Sequence, residues 1–357
     1  MLRAATRKAV GGAAAAVDRV ATLAAYAATA GARRKSRSES LGHDERLAAL
    51  AGIADEYPPE APWFRPARPI TPVSRAAGER PGGVRVADLT WPSDHWPAGR
   101  SVAERWRPGP SGLASVRLFE GRGEPGERPV AVLVHGYLGG NYSTEERVFP
   151  VAWLGRLGFD VALFTLPHHG LRADPRRRGA PPFPGSDPRM TNEGFLQAIG
   201  DLRDLVSWLG ERGHPAVGAL GMSLGGYTTA LAATVEPTLA FAVPIIPLAS
   251  LADFARDQGR LGRGEAQSGA QHAALDRAHR VVSPLHRAPV VAGDRILVVG
   301  AEADRITPLA HARRLAKHFG APLETWHGGH LLQVGRAEKF RRIGRLLREL
   351  GLVRERR

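Results

Sequence analysis

The sequence predicts an α/β protein with a mostly parallel central sheet, helices on both faces and a helical N-terminal extension. Three observations lead there. From about residue 82 onward, short apolar runs alternate with stretches of helical periodicity, the pattern of repeated strand-helix units. Several of those runs are continuously apolar, as strands buried on both faces require. At 357 residues and 43% hydrophobic content, the chain is long enough for one large core plus an extension.

The extension occupies residues 1–81. Its first part, AAAAVDRVATLAAYAATAGA, is flanked by Arg3, Arg7 and Lys8 and by Arg33, Arg34 and Lys35. Asp18 and Arg19 interrupt it and alanine is weakly apolar, which argues against a transmembrane span. Val10, Val17, Val20 and Ala24 share a helical face, so the segment reads as a helix lying on a membrane interface or docked on the domain. A signal peptide is the alternative, opposed by a leucine-poor core and the basic cluster after the supposed cut. A second helical stretch, Ser40 to Ala54, leads into YPPEAPWFRPARPITP, where proline removes backbone donors and forbids helix. This reads as a linker or wrapping arm.

The main domain, residues 82–357, opens with VRVADLTWP and SVRLFEG as strands. PVAVLVHG follows as a fully buried strand. A helix is expected from Glu145 to Leu157, restarted at Pro150, and then the strand FDVALFTLP. Thr191 to Leu209 carries Phe195, Ile199, Leu202, Val206 and Leu209 on one helical face. The strands AVGALGM, AFAVPIIP, RILVVGAEAD and LETWHGGH come next, and the final helix repeats Phe340, Ile343, Leu347 and Leu350. Residues 168–190 and 248–289 break the alternation and are expected to border a site.

The formal charge of +14 comes almost wholly from arginine, with only four lysines. Alongside heavy Ala, Gly and Pro use, it reads as codon bias plus a solubilising charge. No aromatic-interleaved basic groove supports nucleic-acid binding. Residues 1–37 hold +7 of that charge, which favours peripheral contact with an anionic membrane. The expected location is therefore cytoplasmic and membrane-peripheral. No catalytic element falls in this arm, so its removal is expected to leave hydrolysis of a small ester unchanged. Cysteine is absent, which excludes disulfides and thiolate chemistry.

Gly221-Met222-Ser223-Leu224-Gly225 follows an apolar strand and precedes an Ala/Leu-rich helix. A serine on a sharp strand-to-helix turn needs glycine two places either side, because larger side chains collide. Around this motif the chain resembles the α/β-hydrolase family, from about residue 82 to the C-terminus. The resemblance implies the fold of that family, the order Ser, acid, His, and no cofactor or metal. It makes Ser223 the nucleophile. Gly300-Ala301-Glu302-Ala303-Asp304 matches the acid loop, with Asp304 as the orienting acid and Glu302 as the alternative. Asp304 could also cap the helix starting near Pro308. Trp326-His327-Gly328-Gly329-His330 matches the histidine loop, with His330 as the base and His327 as the spare. His135-Gly136-Tyr137 matches the loop that supplies an oxyanion donor, which assigns the backbone N–H groups of Tyr137 and Leu224.

His168 and His169 end another strand on the side where open sheets place ligands, and are candidate substrate contacts. Adjacent histidines point apart, so metal ligation is not expected. The implied activity is cleavage of a carboxylic ester or related acyl bond through an acyl-enzyme, lipid esters included. An acyltransferase and a catalytically silent, membrane-docked scaffold are the other readings.

Overall fold

A computed structural model describes residues 11–19, 41–104, 109–124, 126–333 and 336–353. Among the described residues nine strands form one sheet: β1 (Val73–Arg80), β2 (Val84–Pro92), β3 (Leu113–Glu120), β4 (Val130–Val134), β5 (Asp160–Phe164), β6 (Val217–Met222), β7 (Ala242–Ile245), β8 (Val298–Ala301) and β9 (Leu323–Trp326). Their order is β1-β2-β3-β5-β4-β6-β7-β8-β9. The pairs from β1 to β5 are antiparallel and every pair from β5 to β9 is parallel.

The chain leaves β4 toward β5 on one side and resumes with β6 on the other. Strand order therefore reverses at β4, and the carboxyl ends of β4 and β6 frame the crevice where sheets of this kind hold ligands.

Helices cover both faces. Residues 11–19 are helical (α1), followed by α2 (His43–Glu56), α3 (Arg100–Ala103), α4 (Tyr142–Val148), α5 (Val151–Arg156), α6 (Pro188–Glu211), α7 (Leu224–Ala232), α8 (Leu251–Asp257), α9 (Glu265–Ala278), α10 (Leu309–Phe319) and α11 (Arg336–Glu349). Strand periodicity divides the core accordingly. On β4, Val130, Val132 and Val134 join Ile199 and Leu202 of α6, Tyr227 of α7 and Leu315 of α10. Ala131 and Leu133 point the other way, among Leu154 of α5 and Ile343 and Leu347 of α11. All five β4 residues are buried, which explains an unbroken apolar run.

Local chemistry sets the helix ends. Asp187 caps α6 by accepting the Arg189 N–H at 3.0 Å, with Pro188 in the first turn, where no donor is needed. Pro150 separates α4 from α5, as the expected restart requires.

The sheet begins earlier than expected. Val73–Arg80, assigned from sequence to the extension, pairs with β2 as an edge strand. Its residues VSRAAGER are mostly exposed, so no alternation marks it. The proline-rich arm before it wraps α6. Tyr57 Oη donates to Glu193 Oε1 at 2.6 Å, and the Arg65 guanidinium grips both Asp204 oxygens at 2.7 and 2.6 Å. The 248–289 stretch folds as α8 and α9, with α9 packed on α2. No helix among the described residues is long and apolar enough to cross a membrane.

Candidate active site

Ser223 sits between β6 and α7 with φ 58° and ψ −113°. This is a left-handed conformation that non-glycine residues rarely adopt, and it costs about 1–3 kcal/mol where surrounding structure enforces it. The Ser223 N–H donates to Ile245 O at 2.9 Å, which ties the turn to β7. Both flanking glycines are sterically required. A Cβ on Gly221 would lie 2.0 Å from Gly225 O, and one on Gly225 would lie 2.0 Å from Val134 O. The tight turn leaves Ser223 half-buried at the carboxyl edge of the sheet.

Asp304 follows β8 and His330 follows β9, which brings both to that edge. His330 Nδ1 is 2.7 Å from Asp304 Oδ2, and His330 Nε2 is 2.9 Å from Ser223 Oγ. A carboxylate only accepts, so in the neutral ring Nδ1 carries the proton and Nε2 accepts from the serine hydroxyl. Asp304 Oδ1 accepts the N–H groups of Ile306 and Thr307 at 2.8 and 2.7 Å. Asp304 does not cap α10, whose N-cap is Pro308. Glu302 and His327 are hydrogen-bonded to each other, both more than a third exposed.

Thr307, unmarked in the sequence reading, completes this cluster. Its Oγ1 is 3.0 Å from Asp304 Oδ2, 3.1 Å from His330 Nδ1 and 3.0 Å from Ile246 O. The hydroxyl has one proton to give, to the carboxylate or to the carbonyl. Ile246 itself stands at φ 42°, a strained setting for a β-branched residue. The recognisable trace in sequence is Asp304-x-x-Thr307, a local turn signature.

The β4 loop presses on the same turn. A Cβ on Gly136 would lie 3.4 Å from Met222 O and 3.5 Å from Ser223 Cβ, so Tyr137 begins next to the serine. Tyr137 is 40% exposed, while Leu224 is buried at the start of α7. His135 anchors the loop from below. It accepts the Leu166 N–H on Nε2 at 3.0 Å, so Nδ1 holds the proton donated to Gly136 O at 2.7 Å. Burial, with the neighbouring His169, pushes its pKa down to about 3 and keeps it neutral.

His168 and His169 diverge. His168, at φ 62°, borders a cavity of about 220 Å³ lined also by Ser111, Arg172 and Arg177; Ser223, Asp304 and His330 do not line it. His169 is buried, with its ring 5.9 Å from Tyr137 and 5.2 Å from His135. Burial pushes both down to about 4, with the Arg172 charge adding to it. Among the described residues no cluster of His, Asp and Glu side chains is grouped to hold a metal ion.

The N-terminal helix reaches this edge as well. Asp18 is fully buried and accepts three backbone N–H groups: His330 at 2.7 Å, Leu331 at 3.0 Å and Arg305 at 3.2 Å. The described part of the arm is therefore docked on the loops that carry His330 and Asp304. Its basic clusters at residues 3–8 and 33–37 lie outside the described residues, as do Val10, Val20 and Ala24. Asp18 therefore touches the site's loops from an arm that carries no site motif in the sequence.

The architecture is that of solved hydrolases. An acetyl xylan esterase from Paenibacillus sp. R4 superposes with a TM-score of 0.54 at 16% identity, covering 85% of this chain and 93% of that one. Acetyl xylan esterase 1 from Thermoanaerobacterium sp. JW/SL YS485 gives 0.54 at 17%, covering 86% and 93%. The chain has the α/β-hydrolase fold. At such identities the likeness speaks for the fold alone. Two curated relatives, uncharacterized proteins Rv2627c and MT2702 of Mycobacterium tuberculosis strains H37Rv and CDC 1551, are each 32% identical over 242 residues. The match covers 65% of this chain and 56% of each relative, so it spans about half of their length. No family model matches the chain.

Proposed function

We propose that the protein is a serine hydrolase that cleaves a carboxylic ester or related acyl bond through an acyl-enzyme. The observation that carries this reading is the His330 ring held 2.9 Å from Ser223 Oγ and 2.7 Å from Asp304 Oδ2 at the carboxyl ends of three strands. A serine hydroxyl is a weak nucleophile until a base takes its proton, and this spacing allows that transfer.

In this mechanism Ser223 Oγ attacks the acyl carbon as its proton passes to His330 Nε2. Asp304 holds the ring and stabilises the imidazolium. The backbone N–H groups of Tyr137 and Leu224 receive the oxyanion, each donor worth about 3 kcal/mol. His330 then protonates the leaving group, and afterwards takes a proton from the water that releases the acid. Thr307 is assigned to hold the Asp304 carboxylate.

Lipid and other hydrophobic esters are the substrate class toward which the basic arm leans, through peripheral contact with an anionic membrane. In this reading His169 acts from behind Tyr137, and His168 lines a cavity apart from Ser223, so neither is assigned a contact with the acyl carbon. The test is turnover of short- and long-chain p-nitrophenyl esters by the full chain and by Ser223→Ala. Loss of turnover by a factor of about 10⁶ in a folded variant is expected; activity retained within about tenfold contradicts the serine mechanism.

A further inference from the structure

We propose that Asp18 is a positioning residue for His330: its carboxylate clamps the histidine loop and the acid loop together from the N-terminal helix. The proposal rests on the serine-hydrolase reading and adds a part of the machinery that lies far from it in sequence.

Ala14 and Asp18 are one helical turn apart, and both are fully buried, whereas Val17 between them is 43% exposed. The inner face of α1 therefore carries Asp18 and the small residues Gly11 and Ala14, and a Cβ on Gly11 would lie 3.7 Å from His327 O and 3.8 Å from Ala303 Cβ. The small residues permit close approach. A Cβ built on Gly329 would lie 3.2 Å from Ala14 Cβ and 2.7 Å from Asp18 Oδ2, so the helix lies directly on the glycine before the histidine.

The carboxylate adds a side-chain bridge to the backbone bond from Ala303 N to Gly328 O that already joins the two loops. Oδ2 accepts from His330 N of one loop and Arg305 N of the other, while Oδ1 accepts from Leu331 N. Arg305 follows Asp304 and Leu331 follows His330. Both residues of the proposed acid-base pair are thus fixed through their own or the adjacent peptide unit by one side chain. Hydrogen bonds to a carboxylate are the strong kind, and the shortest of the three, from His330 N at 2.7 Å, is buried. The His330 ring must meet Ser223 and Asp304 at once, both within 3 Å. A backbone shift of about 1 Å at such a site costs on the order of 100-fold in rate.

The experiment uses the full chain with Asp18→Ala, Asp18→Asn and Gly329→Ala. Turnover of p-nitrophenyl acetate, amide hydrogen exchange at His330 and Leu331, and thermal unfolding are measured together. Asp18→Ala is expected to lower kcat about 100-fold at nearly constant KM, and to speed exchange at both amides while the main unfolding transition persists. Asn keeps one acceptor oxygen but turns an NH2 toward a donor, so it should restore activity only in part. Gly329→Ala pushes the helix away from the other side, and combining it with Asp18→Ala should add little, because both remove one contact.

A folded Asp18→Ala protein with kcat within about threefold of wild type overturns the proposal. So does unchanged exchange at His330 and Leu331. Should the alanine variant not fold, the near-isosteric Asp18→Asn decides by the same two readings. A wild-type protein inert toward every ester overturns the hydrolase reading instead, and the exchange comparison still decides whether Asp18 holds the loop.

Discussion

The Glu302 carboxylate and the His327 imidazole are hydrogen-bonded to each other, at the ends of the same two strands that present Asp304 and His330. The edge thus carries two acid-histidine pairs, of which one meets Ser223 and the other faces solvent. Glu302→Ala and His327→Ala are expected to leave kcat within about threefold of wild type. An exposed pair of this kind is worth at most about 1 kcal/mol. His330→Ala should abolish turnover. Esterase kinetics on the three variants decide, and a large loss in His327→Ala would reverse the assignment.

Thr307 should matter through its hydroxyl. Thr307→Val keeps the shape but leaves one acceptor, Ile246 O or Asp304 Oδ2, short of a donor, at a cost of about 1–3 kcal/mol in stability. A fall in kcat of about tenfold with KM unchanged is expected if the hydroxyl also steadies the carboxylate against the ring. Denaturant unfolding and steady-state kinetics on the same preparation separate the two effects.

Glycine substitutions should divide sharply by position. Gly225→Ala drives a Cβ to 2.0 Å from Val134 O and 2.6 Å from His135 O, both backbone atoms that cannot step aside. Several kcal/mol of destabilisation, or failure to fold, is expected, on the order of the larger core-overpacking costs. Gly269, inside α9 with nothing within 4 Å of its Cβ position, is the control. Gly269→Ala should stabilise by up to about 1 kcal/mol. Thermal unfolding of the two variants measures both.

Acid should weaken the fold through its buried histidines. Burial pushes His279 down to about 4 from an ordinary value of 6.5, although Asp276 pulls the other way. Below pH 6.5 the unfolded chain takes up a proton that the folded chain refuses until about pH 4. Stability is therefore highest above that window and falls through it as pH drops, at up to about 1.4 kcal/mol per pH unit for each such histidine. Glu145, Asp160 and Asp201 are pushed upward by burial and act in the opposite sense, gaining as they protonate. The clean test compares wild type with His279→Gln by urea unfolding from pH 7 to pH 4.5. The variant should show the shallower loss, and parallel curves would contradict the assignment.

The parallel strands were legible because strands covered on both faces must be apolar throughout, as in Val130–Val134. The edge strand Val73–Arg80 was not, because an exposed antiparallel edge imposes no alternation. Ser223 and its glycines could be read from spacing together with the apolar strand before them and the helix after, since steric exclusion at such a turn acts over two residues. Asp304 stands ahead of Glu302 in the sequence only through the family resemblance, for the two differ by two positions on one loop; in the structure it is Asp304 that meets the His330 ring. Asp18 left no trace, because its partners are backbone N–H groups 287 to 313 residues away. Backbone donors carry no sequence signature.

The central claim is that Ser223 is a nucleophile activated by His330. Intact-mass and peptide mapping after incubation with a fluorophosphonate tests it most directly, because the adduct forms only on an activated serine. One adduct per chain, on Ser223, is expected, absent in Ser223→Ala and slowed severely in His330→Ala. A folded wild-type protein that gains no adduct, or gains it elsewhere, would contradict the account.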